Sequence, residues 1–424
     1  MKHFLPKIIS AVILFSAFTT NAQQNISLSC AMEQATRNAY SKNRNYDQQM
    51  TEQEKLRDQW KAKYSNSTHS VITIPVVVHV VWNIAAENVS DSQVVSQINV
   101  LNEDFARMNS DTTNTPPVFQ TIAANPQIQF CLAQRDPQGN PTNGITRTQS
   151  SKTAFGSFSI DTSIWYTSIG GQDEWDTLQY FNLWVCDLGP FLGGIGFWPG
   201  ATSMVPGSKD GVLINYITFG TFGSATAPYN LGRTTTHEVG HYLDLHHLWG
   251  DVQTNSSCAA TDYCNDTPTQ VQATQGACPA FPKTDGCTTG GNGITWMDYM
   301  DYTNDACRNM FTNDQSTRMN ACLAGARVGL TTSLGCTPAV IGINEVSQMN
   351  DVTVFPNPTN SQFTVYSLQS AVNTLEVYNS LGQIVLKQTI NSKQETVNLH
   401  ATSGVYSVKI YSGENSIVKK IIIE

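Results

Sequence analysis

Two histidines one helical turn apart give the clearest chemical signal in the sequence. His237 and His241 lie in the string His-Glu-Val-Gly-His. On a helix, residues four apart share a face, so both imidazoles can reach one zinc ion at about 2.0–2.1 Å. Glu238 lies beside them, where its carboxylate is placed for a water molecule rather than for the metal. The threonines that precede His237 are expected to cap this helix, and the string predicts a zinc site with an adjacent general base.

A third metal ligand follows six residues after His241. For His247 to reach the same ion, the helix must end and the chain must turn back at Asp244. That turn needs a left-handed backbone conformation, which Gly adopts freely and Asp tolerates. The spacing selects His247 and leaves His246 as a neighbour of the site. Three neutral histidines leave the fourth zinc position open, as in catalytic rather than structural zinc sites.

An open zinc position next to Glu238 predicts hydrolysis of a peptide bond. Zinc lowers the pKa of a coordinated water to about 7, and the carboxylate can take the released proton and deliver it to the leaving amine. The same motif fits a zinc amidase or esterase that acts on small molecules. A further alternative is a non-catalytic secreted binding or adhesion protein that retains the fold.

The start of the chain predicts export. Lys2 and Lys7 precede an apolar run from Ile8 to Phe18, and small residues end at Ala22, so residues 1–22 are predicted to be a secretory signal peptide. The run is shorter than the roughly 20 residues of a spanning helix. No later segment is long and apolar enough to span, so we expect a secreted or surface-attached protein without a membrane span.

Charge argues against nucleic acid as a partner. The 424 residues contain 24 Lys and Arg against 33 Asp and Glu, a formal net charge of −9, and this offers no basic surface for phosphates. The length is sufficient for more than one folded unit. Protein or peptide substrates are the expected partners.

The elements that must position the zinc helix are strands that alternate with helices. Residues 23–70 are polar, with a helical stretch at Glu52–Arg57, and are interpreted as a pro-segment. Residues 71–336 are predicted to form an α/β (α+β) catalytic domain with a mixed, mostly parallel sheet. A helix capped by Ser90 or Asp91 is predicted from Val94, Ile98, Leu101 and Phe105. The predicted strands are Ile72–Trp82, Ile128–Ala133, Leu183–Cys186 and Gly211–Asn215.

The composition changes after Cys336. Residues 337–349 are interpreted as a linker, and residues 350–424 as a small antiparallel β-sandwich, because short alternating runs are separated by turn signals. The runs are Val352–Phe355, Phe363–Tyr366, Leu375–Tyr378, Ile384–Leu386, Val405–Tyr411 and Ile417–Ile423.

With these motifs in view, residues 72–336 resemble the pappalysin family of metzincin metallopeptidases. The resemblance rests on the three histidines and on the string Asp298–Thr312, which is similar to the Met-turn of that family. It implies that Met300 forms a hydrophobic floor under the zinc and that Tyr302 stabilises the oxyanion of the transition state. Met-Asp-Tyr occurs twice, and the Cys-Arg-Asn-Met-Phe-Thr tail selects the second copy. The strand Gly193–Trp198 resembles the rim that pairs with an extended peptide in metzincins, which favours an endopeptidase.

The resemblance also extends to calcium and disulfide bonds. The segment Cys258–Pro268 resembles the calcium-binding loop of the family, and oxygen ligands are what Ca²⁺ prefers. The implied ligands are Asp262 and Thr267 with the carbonyls of Thr261 and Asn265. Among the ten cysteines of this exported chain, the family pattern implies Cys258–Cys287 and Cys278–Cys307. The pairing of Cys131, Cys186, Cys264, Cys322 and Cys336 stays open, with Cys131 and Cys186 interpreted as packed strand residues.

Two further features concern latency and export. Cys30 lies alone in the pro-segment, where its thiolate could occupy the open zinc position and keep a zymogen silent. Residues 350–424 resemble the C-terminal sorting domain of the type IX secretion system, through Val354–Pro358, Leu375–Gly382, Gly404–Ile410 and the Lys419-Lys420 tail. Together with the signal peptide, this resemblance implies export in two steps through dedicated secretion machinery.

Overall fold

The computed structural model describes residues 28–32, 35–36, 46–64, 70–157, 159–251, 258–339, 352–367, 374–412 and 415–424. The predicted signal peptide and residues 340–349 of the predicted linker lie outside the described residues. Within those ranges, no helix combines the length and the apolar character needed to cross a bilayer. The chain divides into two units, residues 1–339 and 340–424.

The first unit contains the α-helices. The predicted helix capped by Ser90 is confirmed, since its hydroxyl accepts the Gln93 N–H at 3.1 Å. In that helix Val94, Ile98 and Leu101 are buried, as the helical spacing predicts. The helices are α1 (Tyr46–Tyr64), α2 (Asp91–Phe105), α3 (Arg233–Tyr242), α4 (Asn313–Ala324) and α5 (Val328–Thr331). Short 3-10 helices span Ser110–Asn114, Pro117–Phe119, Thr162–Trp165, Thr167–Ile169, Ala201–Met204, Tyr216–Thr218 and Asp305–Cys307.

One mixed sheet of seven strands forms the layer behind the zinc helix. Its strands are β1 (Ser29–Cys30), β2 (Ile72–Trp82), β3 (Ile128–Leu132), β4 (Ile145–Gln149), β5 (Phe181–Cys186), β6 (Leu192–Gly196) and β7 (Val212–Asn215). The order is β1-β6-β7-β5-β2-β3, with β4 also paired to β2. Among the described strand pairs of this sheet, only β6–β7 is antiparallel. This confirms the predicted mixed, mostly parallel sheet. A separate two-stranded ladder joins β8 (Gln275–Gly276) to β9 (Tyr302–Thr303).

Strand β2 is buried from Ile74 to Val81, because a central parallel strand is covered on both faces. His79 lies in this run. Its Nδ1 is 2.7 Å from Thr146 Oγ1 and its Nε2 is 2.9 Å from Asn182 Oδ1. Burial lowers the pKa of His79 to about 4. It is therefore a packed, hydrogen-bonded core residue.

The disulfides include one that the sequence did not reveal. Cys258–Cys287 and Cys278–Cys307 form as the family pattern implied. Cys131 of β3 is bonded to Cys336, so its interpretation as a packed strand residue is wrong. Cys131 lies on the outermost strand of the sheet, where the end of the domain can reach it. In the described ranges the cysteines without a disulfide are Cys30, Cys186, Cys264 and Cys322, and all four are buried.

The second unit consists of two antiparallel sheets with a common apolar core, as predicted. One has the order β10-β11-β14 and the other β13-β12-β15-β16. Fully buried side chains from both sheets, such as Phe363 and Val408, belong to the same cluster. The strands are β10 (Val352–Phe355), β11 (Gln362–Ser367), β12 (Thr374–Tyr378), β13 (Ile384–Thr389), β14 (Gln394–Asn398), β15 (Gly404–Ser412) and β16 (Asn415–Ile423).

Candidate metal centre and active site

Helix α3 carries the first two histidines in the middle of the domain. It begins after Gly232, whose φ of 75° places it in the left-handed region, and no side chain caps it. The sequence suggested a threonine cap, which is wrong, because the threonines lie inside the helix. Thr236 instead donates to Asp104 Oδ2 at 2.6 Å. All ten helix residues are buried, so the helix is enclosed on every side.

The three predicted ligands meet at one point. His247 Nε2 lies 3.2 Å from His237 Nε2 and 3.1 Å from His241 Nε2. Tetrahedral zinc with bonds of about 2.0–2.1 Å needs nitrogen atoms about 3.3 Å apart. The observed spacing therefore fits a zinc ion held by three imidazoles.

Hydrogen bonds to the Nδ1 atoms fix the tautomers of His237 and His241. His237 Nδ1 lies 2.7 Å from the Tyr299 carbonyl, and His241 Nδ1 lies 2.8 Å from the Leu245 carbonyl. A carbonyl only accepts, so each Nδ1 carries the proton and each Nε2 turns a lone pair inward. Burial lowers the pKa of His241 to about 3. Nitrogen lone pairs that face one another cannot form hydrogen bonds with each other, whereas a bound cation would accept them all.

His247 is oriented by a carboxylate that sequence reasoning missed. Its Nδ1 lies 2.5 Å from Asp251 Oδ1, and the other oxygen of Asp251 lies 2.6 Å from His246 Nδ1. Trp249 stacks on the His247 ring with centroids 4.6 Å apart. His246 packs against Trp198, with ring centroids 4.7 Å apart. The motif spacing contained no rule that would have identified Asp251 or Trp249.

The return of the chain takes place at Asp244, as the sequence predicts. Its φ is 81°, the left-handed conformation that a Gly would adopt without strain. The Leu245 N–H donates to the Gly240 carbonyl at 3.0 Å and closes the helix end. Arg318 Nε donates to the Asp244 carbonyl at 2.6 Å. These bonds hold the strained turn that directs His247 towards the site.

The second Met-Asp-Tyr copy lies at the site. A Cβ added to Gly240 would come within 2.5 Å of Met300 Sδ, so Met300 packs directly under the zinc helix. Tyr302 Oη lies 3.0 Å from His247 Nε2. In the first copy, Met297 belongs to a different apolar cluster. Tyr299, the last residue of the first copy, supplies the carbonyl for His237.

Glu238 lies between the helix and strand β6. A Cβ on Gly194 would come within 2.8 Å of the Glu238 Cγ, and one on Gly196 would come within 1.9 Å of its carbonyl oxygen. Only glycines allow this strand to pack so closely. Burial raises the pKa of Glu238 to about 7, although the nearby Cys30 opposes this.

The N-terminal segment enters the cleft beside this carboxylate. Strand β1 pairs in parallel with β6, with Cys30 opposite Gly194. Cys30 Sγ donates to Glu238 Oε2 at 3.2 Å. Its Sγ and one nitrogen of each of the three histidines all lie within 4.8 Å of one another. The predicted switch residue is thus located at the fourth corner of the candidate metal centre.

Helix α1 anchors the same segment elsewhere on the domain, through contacts that the sequence did not predict. Glu54 accepts two hydrogen bonds from Arg318, at 2.8 and 2.7 Å. Arg57 Nη2 forms an ion pair with Asp244 Oδ1 at 3.0 Å. Lys61 lies 3.4 Å from Asp314 of α4. The charges of Glu54 and Arg57 could have indicated ion pairs, but their partners Arg318 and Asp244 are far away in the sequence.

The candidate calcium loop brings oxygen atoms together. Thr267 Oγ1 lies 2.8 Å from Asp262 Oδ2 and 2.9 Å from the Cys264 carbonyl. Asp262 is buried, and burial raises its pKa to about 7. Asn265, whose carbonyl was an expected ligand, donates its N–H to Asp314 Oδ2 at 2.8 Å. The loop has hard oxygen donors but few carboxylates.

Comparison with known protein families gives two matches. Residues 167–324 match the family model described as pregnancy-associated plasma protein-A, and residues 353–424 match the secretion system C-terminal sorting domain. Among curated relatives, an extracellular metalloprotease of Arthroderma otae is 30% identical over 268 residues, covering 61% of this chain and 80% of the relative. One from Arthroderma benhamiae is 29% identical over 260 residues, with the same coverage.

Solved structures from Tannerella forsythia are more similar. Mature mirolysin in complex with a cleaved peptide is 49% identical, with a TM-score of 0.59, over 62% of this chain and 97% of that chain. A promirolysin mutant is 46% identical, with a TM-score of 0.64, over 71% of this chain and 95% of that chain. The likeness therefore covers up to 71% of this chain and includes a relative in its precursor form.

Proposed function

Because the chain belongs to the pappalysin family of metzincin metalloendopeptidases, we propose that His237, His241 and His247 hold its zinc and that Glu238 is the general base. The protein is a zinc metalloendopeptidase that is secreted or attached to the cell surface. The observation that carries the ligand assignment is the convergence of three Nε2 atoms whose partner Nδ1 atoms are already engaged.

In the proposed reaction, Glu238 takes part in two successive transfers of one proton. When bound, zinc supplies Lewis acidity towards a water molecule and the scissile carbonyl. Glu238 accepts the proton of that water on a carboxylate oxygen and returns it to the nitrogen of the leaving amine. The burial of this carboxylate and its position 3.2 Å from Cys30 Sγ, at the candidate metal centre, support this role.

Tyr302 is proposed to stabilise the oxyanion that forms on the scissile carbonyl. Its phenol lies at the metal centre, 3.0 Å from His247 Nε2. A preorganised donor of this kind contributes about 10²–10³-fold to turnover. Met300, packed against Gly240, is proposed to fix the height of the zinc helix above the floor of the site.

Zinc content tests the ligand set without reference to activity. His247→Ala is expected to lose bound zinc, because it removes one of three converging donors. His246→Ala is the matched control, since the neighbouring ring points towards Asp251 and Trp198 and its loss should leave one zinc per chain. If both variants retained zinc equally, the assignment of His247 would be wrong.

We further propose that residues 23–70 are a pro-segment and that Cys30 is its zinc-blocking thiolate. The location of Cys30 Sγ within 4.8 Å of the histidine nitrogens supports this. The pairing of β1 with β6 supports it as well, since the segment occupies the strand edge that an extended substrate would use. Removal of the segment would then free both the metal position and the strand edge.

Docking of α1 supports the same proposal. Tethering a short strand to a separately anchored helix raises the effective concentration of the strand at the cleft. A two-residue strand and one thiolate can therefore block the site persistently while Glu54 and Arg57 remain bound. Latency would rest on both contacts.

Residues 71–336 are proposed to be the catalytic domain and residues 337–349 the linker. The C-terminal residues 350–424 are proposed to direct the protein through type IX secretion machinery after signal-peptide export. The match to a sorting-domain model at residues 353–424 supports this. A chain that ends at residue 349 should remain inside the outer envelope, which cell fractionation would detect.

Calcium binding at the Cys258–Pro268 loop is proposed, with Asp262, Thr267 and the carbonyls of Thr261 and Asn265 as ligands. A buried carboxylate with a raised pKa lacks the counter-charge that Ca²⁺ would supply. Added Ca²⁺ should raise the thermal midpoint of the wild type but not of Asp262→Asn. An equal response of both proteins would exclude Asp262 as a ligand.

A further inference from the structure

A small cavity of about 30 Å³ lies next to the proposed general base. Its wall includes Glu238, Thr234 and Tyr229, and residues of the N-terminal segment such as Leu28 also line it. Because that segment follows the strand edge proposed for substrate, removal of the segment would open the cavity to a substrate side chain. The side chain would lie close to the scissile bond, since the cavity touches Glu238.

The wall of this cavity includes a positively charged side chain. Arg308 lines it and is only 4% exposed. Its Nη2 donates to Asp305 Oδ1 at 2.7 Å, and its Nη1 is 3.5 Å from the Asp301 carbonyl. In the part of the chain that the structure describes, its Nε has no hydrogen-bond partner. The guanidinium therefore retains donor capacity for a further acceptor.

The carboxylate that accompanies Arg308 is fully occupied. Asp305 is completely buried. Its Oδ2 accepts the Leu231 N–H at 2.9 Å and the Arg233 N–H at 3.2 Å, while Oδ1 accepts from Arg308. Among the described residues that line the cavity, Glu238 is the single carboxylate and has a proposed role in the reaction, so a basic side chain would meet the guanidinium without a carboxylate free to pair with it. Two like charges in a buried site are unfavourable because little water screens them.

We propose that Arg308 makes this cavity a specificity subsite for an acidic side chain, Asp or Glu, next to the scissile bond. The proposal rests on the proposed catalytic role of the Glu238 site. An arginine fork recognises a carboxylate through paired, charge-assisted hydrogen bonds. The burial of Arg308 strengthens this interaction, and the small volume of the cavity restricts the side chain to modest length.

Sequencing the products of a peptide library cut by the processed enzyme is the first test. We expect enrichment of Asp and Glu at one of the two positions that flank the cleaved bond. Peptides matched except for Glu, Gln or Lys at that position then measure the charge preference. Charge-assisted hydrogen bonds predict kcat/KM at least about tenfold higher for Glu than for Gln, with Lys lowest.

Variants of Arg308 separate charge from shape. Arg308→Met should reverse the order of the Glu and Lys peptides, because it removes the cation and frees Asp305 Oδ1. Arg308→Lys should keep the wild-type order. These are ratios within one enzyme preparation, so a general loss of folding does not imitate them.

Equal cleavage of the Glu and Gln peptides by the wild type would overturn the proposal, even if Arg308→Met failed to fold. A Glu-to-Lys ratio that did not change in Arg308→Met would overturn it too. Failure of the underlying catalytic assignment looks different, since every peptide would then be cut at the same rate with and without a zinc chelator.

Discussion

Arg57 of helix α1 forms an ion pair with Asp244, across 3.0 Å, at the turn that ends the zinc helix. Asp244 also lies 3.2 Å from Arg318, so one carboxylate serves two arginines. Its backbone φ of 81° is one that Gly would adopt without cost. The strained aspartate thus connects the geometry of His247 to the docking of the proposed pro-segment.

Removing the charge of Asp244 should loosen α1 in the unprocessed chain. Asp244→Asn keeps a residue that tolerates the left-handed conformation but removes both ion pairs. We expect trypsin to remove the segment faster from this variant than from the wild type. Densitometry of the products of limited trypsin treatment measures the two rates.

Asp244→Gly should show the same faster removal without backbone strain at the turn. The left-handed conformation costs roughly 1–2 kcal/mol for a residue with a Cβ, and Gly avoids this cost. Unchanged rates of segment removal in both variants would mean that the Arg57 contact does not hold α1.

Acid should release α1 only at low pH. Burial acts to raise the pKa of Glu54, but the hydrogen bonds and charge of Arg318 outweigh it and lower the pKa to about 2 from an ordinary 4.5. Because docking lowers the pKa of Glu54, its ionised carboxylate stabilises the docked helix at pH values above its ordinary pKa. This stabilisation is lost as the pH falls from about 4.5 towards 2.

Trp60 of α1 is one of eight tryptophans in the chain, so a change in fluorescence that is absent from a Trp60→Phe variant can follow this release. The wild type should show a transition in that acid range that Glu54→Gln lacks. A transition of equal midpoint and size in both proteins would mean that protonation of Glu54 does not release α1.

Loss of Cys30 should remove latency. Cys30→Ala leaves Glu238 without its sulfur partner at 3.2 Å and leaves the proposed metal position uncovered. We expect cleavage of a fluorogenic peptide by the intact chain, whereas Ser29→Ala, next to it in the same strand, should remain latent. A Cys30→Ala chain as latent as the wild type would contradict the switch.

The Cys131–Cys336 disulfide should stabilise the first unit substantially. It joins residues 205 positions apart, and closing such a long loop restricts the unfolded chain. Replacing both cysteines by Ala should lower the free energy of unfolding by about 2–4 kcal/mol. Cys186→Ala, at a buried cysteine without a disulfide, is the control for the loss of a sulfur atom. Denaturant titration of the three proteins measures the difference.

Local spacing made much of the site predictable. The four-residue step from His237 to His241 determines which face of a helix they share, and the turn at Asp244 follows from the position of His247. Strands β2, β3, β5 and β7 could be recognised because their sequences are largely apolar, whereas β1 and β4 were not predicted. Strand β14 was missed because only Val397 of its five residues is buried.

Contacts between distant segments could not be predicted in this way. Glu54 and Arg318 are 264 residues apart, and no periodicity relates them. The start of α3 was misjudged because three consecutive threonines resemble a cap, while the actual cap residue, Gly232, acts through its backbone conformation. Asp251 was missed because orienting a histidine requires only proximity in space.

Turnover by Glu238→Gln is the most direct test of the account. The substitution keeps the shape of the side chain but removes the proton acceptor, while the three histidines remain. The processed variant should retain one zinc per chain and lose about 10²–10⁴-fold in casein hydrolysis, the usual contribution of a general base. Wild-type turnover by zinc-loaded Glu238→Gln would contradict the proposed mechanism.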